Sequence, residues 1–395
     1  MASFDETIEK AVEDRLIPGV VLLAKDKSGK LDYARAIGRR SLRPGEEDPM
    51  ELNSVFTLMS MTKLVTCVGV MQVVERGLIK LDDDVASILP VLAEQQVLHG
   101  FDDEGKPILK PRQGTITLRH LLTHSYGQAY PFLDAKTARY FEQTGRPLFG
   151  NSKTVEEAFN YPLLFEPGDG FQYSPGVDWA GRIVEELTGT KFEDWMKEHI
   201  LKPLGISALT FFPEHHPELL SRLVPLALRD AQSGKIVANP APAASLTVKE
   251  AFGGSGLFAD MREYFAVMES LLKDDEKLLK KETTDLMFQP HLSPVSKKAC
   301  IEEFKGADWA VGHFPPTGEY DWGLAGLLTD GDSHELRKKG FQQWSGMYNL
   351  SWFIDRTAGV AGVFATQFMP FGDKKAKEFL KLFEEEVYRR AKESG

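Results

Sequence analysis

Ser60 and Lys63 stand three residues apart in "FTLMSMTKLVTCVGVMQVVERGLIKLDDDV", an otherwise apolar run from Phe56 to Val85. On a helix that spacing puts both side chains on one face. From Met61 to Val74 the segment is helical in character and apolar nearly all round, the pattern of a helix buried on every side. A lysine there must be paired or neutral, because an unpaired ammonium is costly to bury. Desolvation favours the neutral amine, which accepts a proton from a hydroxyl. Ser60 falls at or just before the helix start, where a free backbone N–H and the helix dipole favour a developing oxyanion. These are the parts of a nucleophile and its base. An N-cap serine beside a snorkelling lysine has the same spacing. Ser270-Leu271-Leu272-Lys273, followed by "DDEK", repeats it at a solvated helix end, so the context has to decide.

Two other stretches supply it. "FEPGDGFQYSPGVDWAGRIVEELTG" places Tyr173 in a Pro/Gly-rich loop ahead of a helix, and "KGFQQWSGMYNLSWF" places Trp344-Ser345-Gly346 at the start of a buried-looking strand. With Ser60-Met61-Thr62-Lys63 they occupy the order and rough spacing of the three motifs of serine β-lactamases and penicillin-binding proteins. The chain resembles the class C β-lactamase-like serine esterases and transesterases, and most of all the fungal acyltransferases of the lovastatin side-chain type. The likeness runs nearly end to end, through "IPGVVLLAKDKSGKLDYARAIG", "GTITLRHLLTHSYG", "KPLGI", "AFGGSGLF" and "LMFQP".

The resemblance implies that Ser60 is acylated, that Lys63 is its base partner, and that Tyr173 is a phenol sharing the proton work. The backbone N–H groups of Ser60 and Met347 would form the oxyanion hole. An amine and a phenol beside one hydroxyl shift each other's proton affinity, so the protons belong to the set and either group can be the base. Two departures bear on the substrate. β-Lactam enzymes of this kind carry Lys or His where Trp344 stands, and Asn where Pro175 stands. Losing both polar anchors and gaining an indole points to an ester or thioester with a hydrophobic body. The substrate-binding candidates are Tyr126, Trp344, Ser345, Gly346 and Tyr348. Among Tyr126, Tyr130, Phe132, Trp322, Tyr348 and Trp352, two or three are expected to reach a cleft and the rest to pack in the core.

Certain elements must position these residues. Phe4, Ile8, Ala11, Val12 and Leu16 fall at helical spacing before Pro18-Gly19. "VVLLAKDKSGKLDYARAIG" reads as a hairpin turning at Asp26 to Gly29, and "NLSWFIDRTAGVAGVFATQF" as another turning at Asp355 to Gly359. "KKAKEFLKLFEEEVYRR" closes the chain as a helix. The expected fold is α+β, serine β-lactamase/penicillin-binding-protein-like: an antiparallel sheet with flanking helices plus an inserted mainly helical domain. Residues 1–80 and 249–395 make the sheet domain, residues 81–248 the insertion, and the site lies at their junction.

Composition narrows the function classes. The chain has 395 residues, 42% hydrophobic and 27% charged, which is globular in character; its net charge of -11 argues against a nucleic-acid partner. The N-terminal stretch is too acidic and polar for a secretory signal, and no run of about 18 apolar residues occurs, so a cytoplasmic location without membrane association is expected. Cys67 and Cys300 make no disulfide framework; Cys67 reads as a small core residue.

Other motifs read as structural. His120 and His124 have a zinc-compatible spacing, but "HLLTH" lacks the glutamate of the metalloprotease motif. "GGSG" at Gly253 to Gly256 allows close backbone approach beside the cleft. Asp82-Asp83-Asp84 reads as a solvated turn, and no G-x-S-x-G is present. No metal or organic cofactor is implied. The expected function is a serine acyltransferase passing an acyl group from Ser60 to a hydroxyl of a hydrophobic natural product, with acyl-CoA or an acyl carrier protein as candidate donors. A carboxylesterase using the same intermediate is the alternative. A β-lactamase or D-peptidase, or a non-catalytic binding protein, fits the residues less well.

Overall fold

The computed structural model describes residues 2–46, 48–148, 152–240 and 248–394. Helix α1 (Phe4–Glu13) starts at a capping box in which Ser3 and Glu6 satisfy each other's backbone N–H. Strands β1 (Val20–Asp26) and β2 (Asp32–Ile37) form the first hairpin. Helix α2 (Thr62–Glu75) follows a single 3-10 turn over Met59–Met61, and α3 (Gly176–Thr188) follows the Tyr173 loop. Helix α4 (Met261–Lys273) precedes five strands: β3 (Tyr320–Trp322), β4 (Leu327–Thr329), β5 (Gln342–Gly346), β6 (Leu350–Asp355) and β7 (Val360–Ala365). Helix α5 (Lys374–Ser394) closes the chain.

The seven strands make one antiparallel sheet in the order β3-β4-β5-β6-β7-β1-β2. The first hairpin therefore docks on the last, with Val21 opposite Ala365 and Asp26 opposite Val360. Helices cover both faces, which is why β1 reads as nearly continuous apolar sequence. Alternate residues serve two cores. Val20, Leu22 and Ala24 pack with α1 and α5 through Ile8, Phe379 and Phe383. Val21 and Leu23 belong to the larger core, which contains most of α2 and much of α4.

Helix α2 is buried from Thr62 to Val73, as an all-round apolar segment requires. The segment between residues 80 and 248 holds short helices and α3, and also a hairpin, Gln96–Phe101 with Pro107–Pro111, that helical patterning did not predict. Strand Leu209–Thr210 from this segment pairs with Phe258–Asp260, which pairs with Val55–Thr57, so a small second sheet ties it to the rest. Among the described residues no helix is long and apolar enough to cross a membrane.

Candidate active site

The turn carrying Ser60 is held in an unusual backbone state. Met59, the residue before it, has φ +47°, a left-handed conformation that costs a non-glycine residue about 1–3 kcal/mol. The end of β5 closes on this turn. A Cβ on Gly346 would lie 2.3 Å from the Leu58 carbonyl oxygen, so only glycine lets the strand come this near. Ser60 and Met347 consequently line the same cleft.

Lys63 is 1% exposed. Its Nζ lies 3.3 Å from Ser60 Oγ, 3.4 Å from the Tyr130 hydroxyl and 2.8 Å from the Gly254 carbonyl. Its Nζ also lies 4.8 Å from the centre of the Tyr173 ring. An ammonium has three N–H donors, and three oxygens meet it. The neutral amine fits as well. Two N–H groups then serve the Gly254 carbonyl and Tyr130, and the lone pair faces the Ser60 hydroxyl. Either charge state is satisfied, which is what a group that takes and returns a proton requires. The close approach expected of the "GGSG" stretch is realised here, since Gly253 and Gly254 pass between α2 and α3. The Gly253 carbonyl accepts from Thr66 Oγ1 at 2.7 Å, and the Gly254 N–H donates to Asp178 at 2.8 Å.

The Tyr173 loop is zipped to residues 123–130. The Gln172 N–H donates to the His124 carbonyl at 3.0 Å, and the Tyr130 N–H to the Tyr173 carbonyl at 3.2 Å. His124 is fully buried; its Nδ1 accepts the Ser174 N–H at 3.2 Å, which sets the tautomer, and its ring packs 4.7 Å from that of Tyr173. Burial, followed by the charge on Lys63, holds its proton affinity well below that of free histidine. His120 instead closes the cap of helix Leu118–Leu122, so the two histidines have separate structural tasks. Asp82 pairs with Arg119 and Asp84 accepts the Ala86 N–H at 2.9 Å, as a turn would have it.

Trp344 is more than an apolar wall. Its indole N–H donates to the Tyr173 hydroxyl at 2.9 Å, and the two rings lie 4.8 Å apart. Tryptophan only donates, so the Tyr173 oxygen accepts this bond and its own proton is directed elsewhere. The cleft is walled by Phe132, Leu133, Trp309, Val311 and Phe371, with Ser60, Tyr173 and Trp344 to Met347 completing it. Ser345 and Gly346 thus reach it as expected. Tyr126 does not: it is fully buried and its hydroxyl donates to Gln128, so it braces the loop behind. Tyr348 is also outside the lining, in the turn between β5 and β6, with its carbonyl accepting the Phe368 N–H. Trp322 and Trp352 are core.

Tyr130 has a larger part than its sequence position suggested. It contacts Lys63 directly and stacks 5.4 Å from Phe132 of the cleft wall. Burial holds its phenol far above the ordinary tyrosine range, so it is neutral near pH 7. The second Ser-x-x-Lys is structural, with Ser270 Oγ donating to Asp275 and Lys273 pairing with Glu269 near the end of α4.

A family model described as Beta-lactamase matches residues 4–384. The chain belongs to the β-lactamase family. Within it, the chain is 39% identical to a lovastatin esterase of Penicillium rubens over 98% of both chains. It is 35% identical to a monacolin J acid methylbutanoyltransferase of Aspergillus terreus, covering 97% of this chain and 94% of that one. A solved structure of simvastatin synthase from Aspergillus terreus, a LovD6 mutant, superposes with a TM-score of 0.90 at 35% identity, covering 99% of this chain and 95% of that one. The fold is therefore the serine β-lactamase/penicillin-binding-protein-like one, and this member is a serine enzyme of the acyltransferase and esterase branch.

Proposed function

We propose that the protein transfers an acyl group, by way of an ester on Ser60 Oγ, to a hydroxyl of a hydrophobic natural product. The observation that carries this reading is the Ser60 hydroxyl 3.3 Å from the buried Lys63 amine, in an apolar cleft. The Ser60 proton passes to Lys63 as Oγ attacks the acyl carbon, and the Lys63 and Tyr173 set returns it to the leaving group. The N–H groups of Ser60 and Met347 hold the oxyanion. The acceptor hydroxyl then repeats the steps in reverse. One relative is by name a monacolin J acid methylbutanoyltransferase; for this chain polyketide esters are the proposed substrate class, with an acyl thioester on CoA or a carrier protein as donor. A β-lactam or D-peptide would lack its anchor, since the indole N–H of Trp344 is committed to Tyr173.

A second reading, hydrolysis of such an ester, is favoured by the 39% identity to the lovastatin esterase. The two share every step up to the acyl-enzyme and differ in whether water or an alcohol receives the acyl group. Intact mass spectrometry with short acyl thioesters and p-nitrophenyl esters separates them. Wild type is expected to gain an acyl adduct that Ser60→Ala lacks. Release on adding an alcohol, with ester as product, marks the transferase; release as free acid marks the hydrolase. Equal adduct on Ser60→Ala would sink both.

A further inference from the structure

Asp178, in the first turn of α3, is a fully buried carboxylate that the acyl-transfer steps leave without a task. One oxygen accepts the Gly254 N–H at 2.8 Å; the other has no partner among the described residues. The peptide between Gly253 and Gly254 is gripped at both ends, its N–H by Asp178 and its carbonyl by Thr66 Oγ1. The next carbonyl along, that of Gly254, accepts from Lys63 Nζ at 2.8 Å. A Cβ on Gly254 would fall 2.2 Å from the second Asp178 oxygen, so the contact is as close as backbone permits. A chain of bonded groups therefore runs from the carboxylate to the amine.

The titratable groups facing Asp178 are Lys63 from α2 and the phenols of Tyr126, Tyr130 and Tyr161. Burial keeps all three phenols neutral, so of these groups Lys63 is the one that can carry a charge opposite Asp178. Burial pushes the carboxyl itself up to about 6, against the pull of Lys63 and of the Gly254 N–H. Near neutral pH it is predominantly an anion.

We propose that Asp178 is a positioning residue for acyl transfer, fixing the Gly254 carbonyl that aims the Lys63 amine and supplying the counter-charge for the ammonium formed as Ser60 gives up its proton. This rests on the reading of Ser60 as nucleophile and Lys63 as proton acceptor. No atom is exchanged with Asp178. The proton moves from Ser60 Oγ to Lys63 Nζ while the bond from Oγ to the acyl carbon forms, and the nearby anion favours the product side of that transfer.

The test is the pH dependence of kcat/KM and kcat for a p-nitrophenyl ester in Asp178→Asn, which keeps the shape and an oxygen for the Gly254 N–H but loses the charge. Without the anion the ammonium is less favoured, so the acidic limb moves to lower pH by about one unit or more. Because the amine is then a weaker base, plateau kcat falls about tenfold with KM little changed. A purely structural carboxylate would lower stability and leave the limb where it is. A profile superimposing on wild type in position and height overturns the proposal. Thr66→Val, which loosens the same peptide without altering a charge, is expected to slow acylation about threefold or more at every pH with no limb shift. Unchanged acylation in Thr66→Val overturns the anchoring role even if Asp178→Asn fails to accumulate. Ser60→Ala run in parallel separates the two levels: if it stays active the nucleophile reading fails, and if it is inert while Asp178→Asn matches wild type only this proposal fails.

Discussion

At the residue scale, Ser60 and Tyr173 are each held by neighbours outside the proposed acyl-transfer steps. Met59 takes a strained backbone state beside Ser60, His124 fixes the Tyr173 loop, and Trp344 donates to the Tyr173 hydroxyl. The last of these separates two roles that one side chain fills, wall and donor. Trp344→Phe keeps an aromatic wall and removes the N–H. A neutral hydrogen bond contributes about 0.5–1.5 kcal/mol net, so kcat is expected to fall about three- to tenfold while KM moves less. Steady-state kinetics on one ester checks it, and a change confined to KM would reduce Trp344 to a wall. That Ser60, Lys63 and Tyr173 come together was legible from motif order. The partners of Lys63 were not, because Tyr130 and Gly254 reach it from 67 and 191 residues away, through loops whose course no local pattern encodes.

At the element scale, strength of pattern decided what was legible. Helix α2 was expected over Met61 to Val74 and runs Thr62–Glu75; an all-round apolar segment has no competing solution. The hairpin at Asp26 to Gly29 was equally plain, because an apolar run on one side and an alternating one on the other flank a turn. The hairpin at Gln96–Phe101 and Pro107–Pro111 was missed, since its second strand is largely exposed and begins and ends in proline. The juxtaposition of β5 with the Ser60 turn is likewise tertiary, and it can be tested. Gly346→Ala puts a methyl 2.3 Å from the Leu58 carbonyl and 2.7 Å from Leu350, so strand or turn must shift. Overpacking of this kind costs about 1–3 kcal/mol. If the Met347 N–H serves the oxyanion, displacing it lowers kcat about 10²- to 10³-fold. Kinetics at a temperature where circular dichroism shows the variant folded isolates the second effect, and near-normal kcat would remove Met347 from the oxyanion hole.

At the scale of the whole molecule, the two chain ends meet in one sheet, and a buried ion pair fastens the closing helix to it. Arg337, 1% exposed, donates to both Glu384 oxygens, at 2.6 and 2.7 Å, and to the His313 carbonyl at 2.8 Å. Docking of the ends was foreseeable from paired hairpin signals and two terminal amphipathic helices; this ion pair was not, because Arg337 lies in a polar stretch that reads as solvated loop. Its charge shapes the acid response of the fold. Burial first, then Arg337, pushes the His313 imidazole down to about 4, and His334 beside it is lowered as well. In the unfolded chain a histidine protonates near its ordinary value of about 6.5, so below that pH the unfolded state binds more protons. The stabilisation from keeping His313 neutral is therefore complete above about 6.5 and is lost as pH falls toward about 4. The melting temperature of wild type should decline between pH 7 and pH 5, before most carboxylates titrate. His313→Gln, which cannot take up the proton, should decline less over that interval, whatever its absolute stability at pH 7. Equal slopes for the two proteins would show that His313 titrates alike in the folded and unfolded chain, and would detach the acid sensitivity of the fold from the Arg337 cluster.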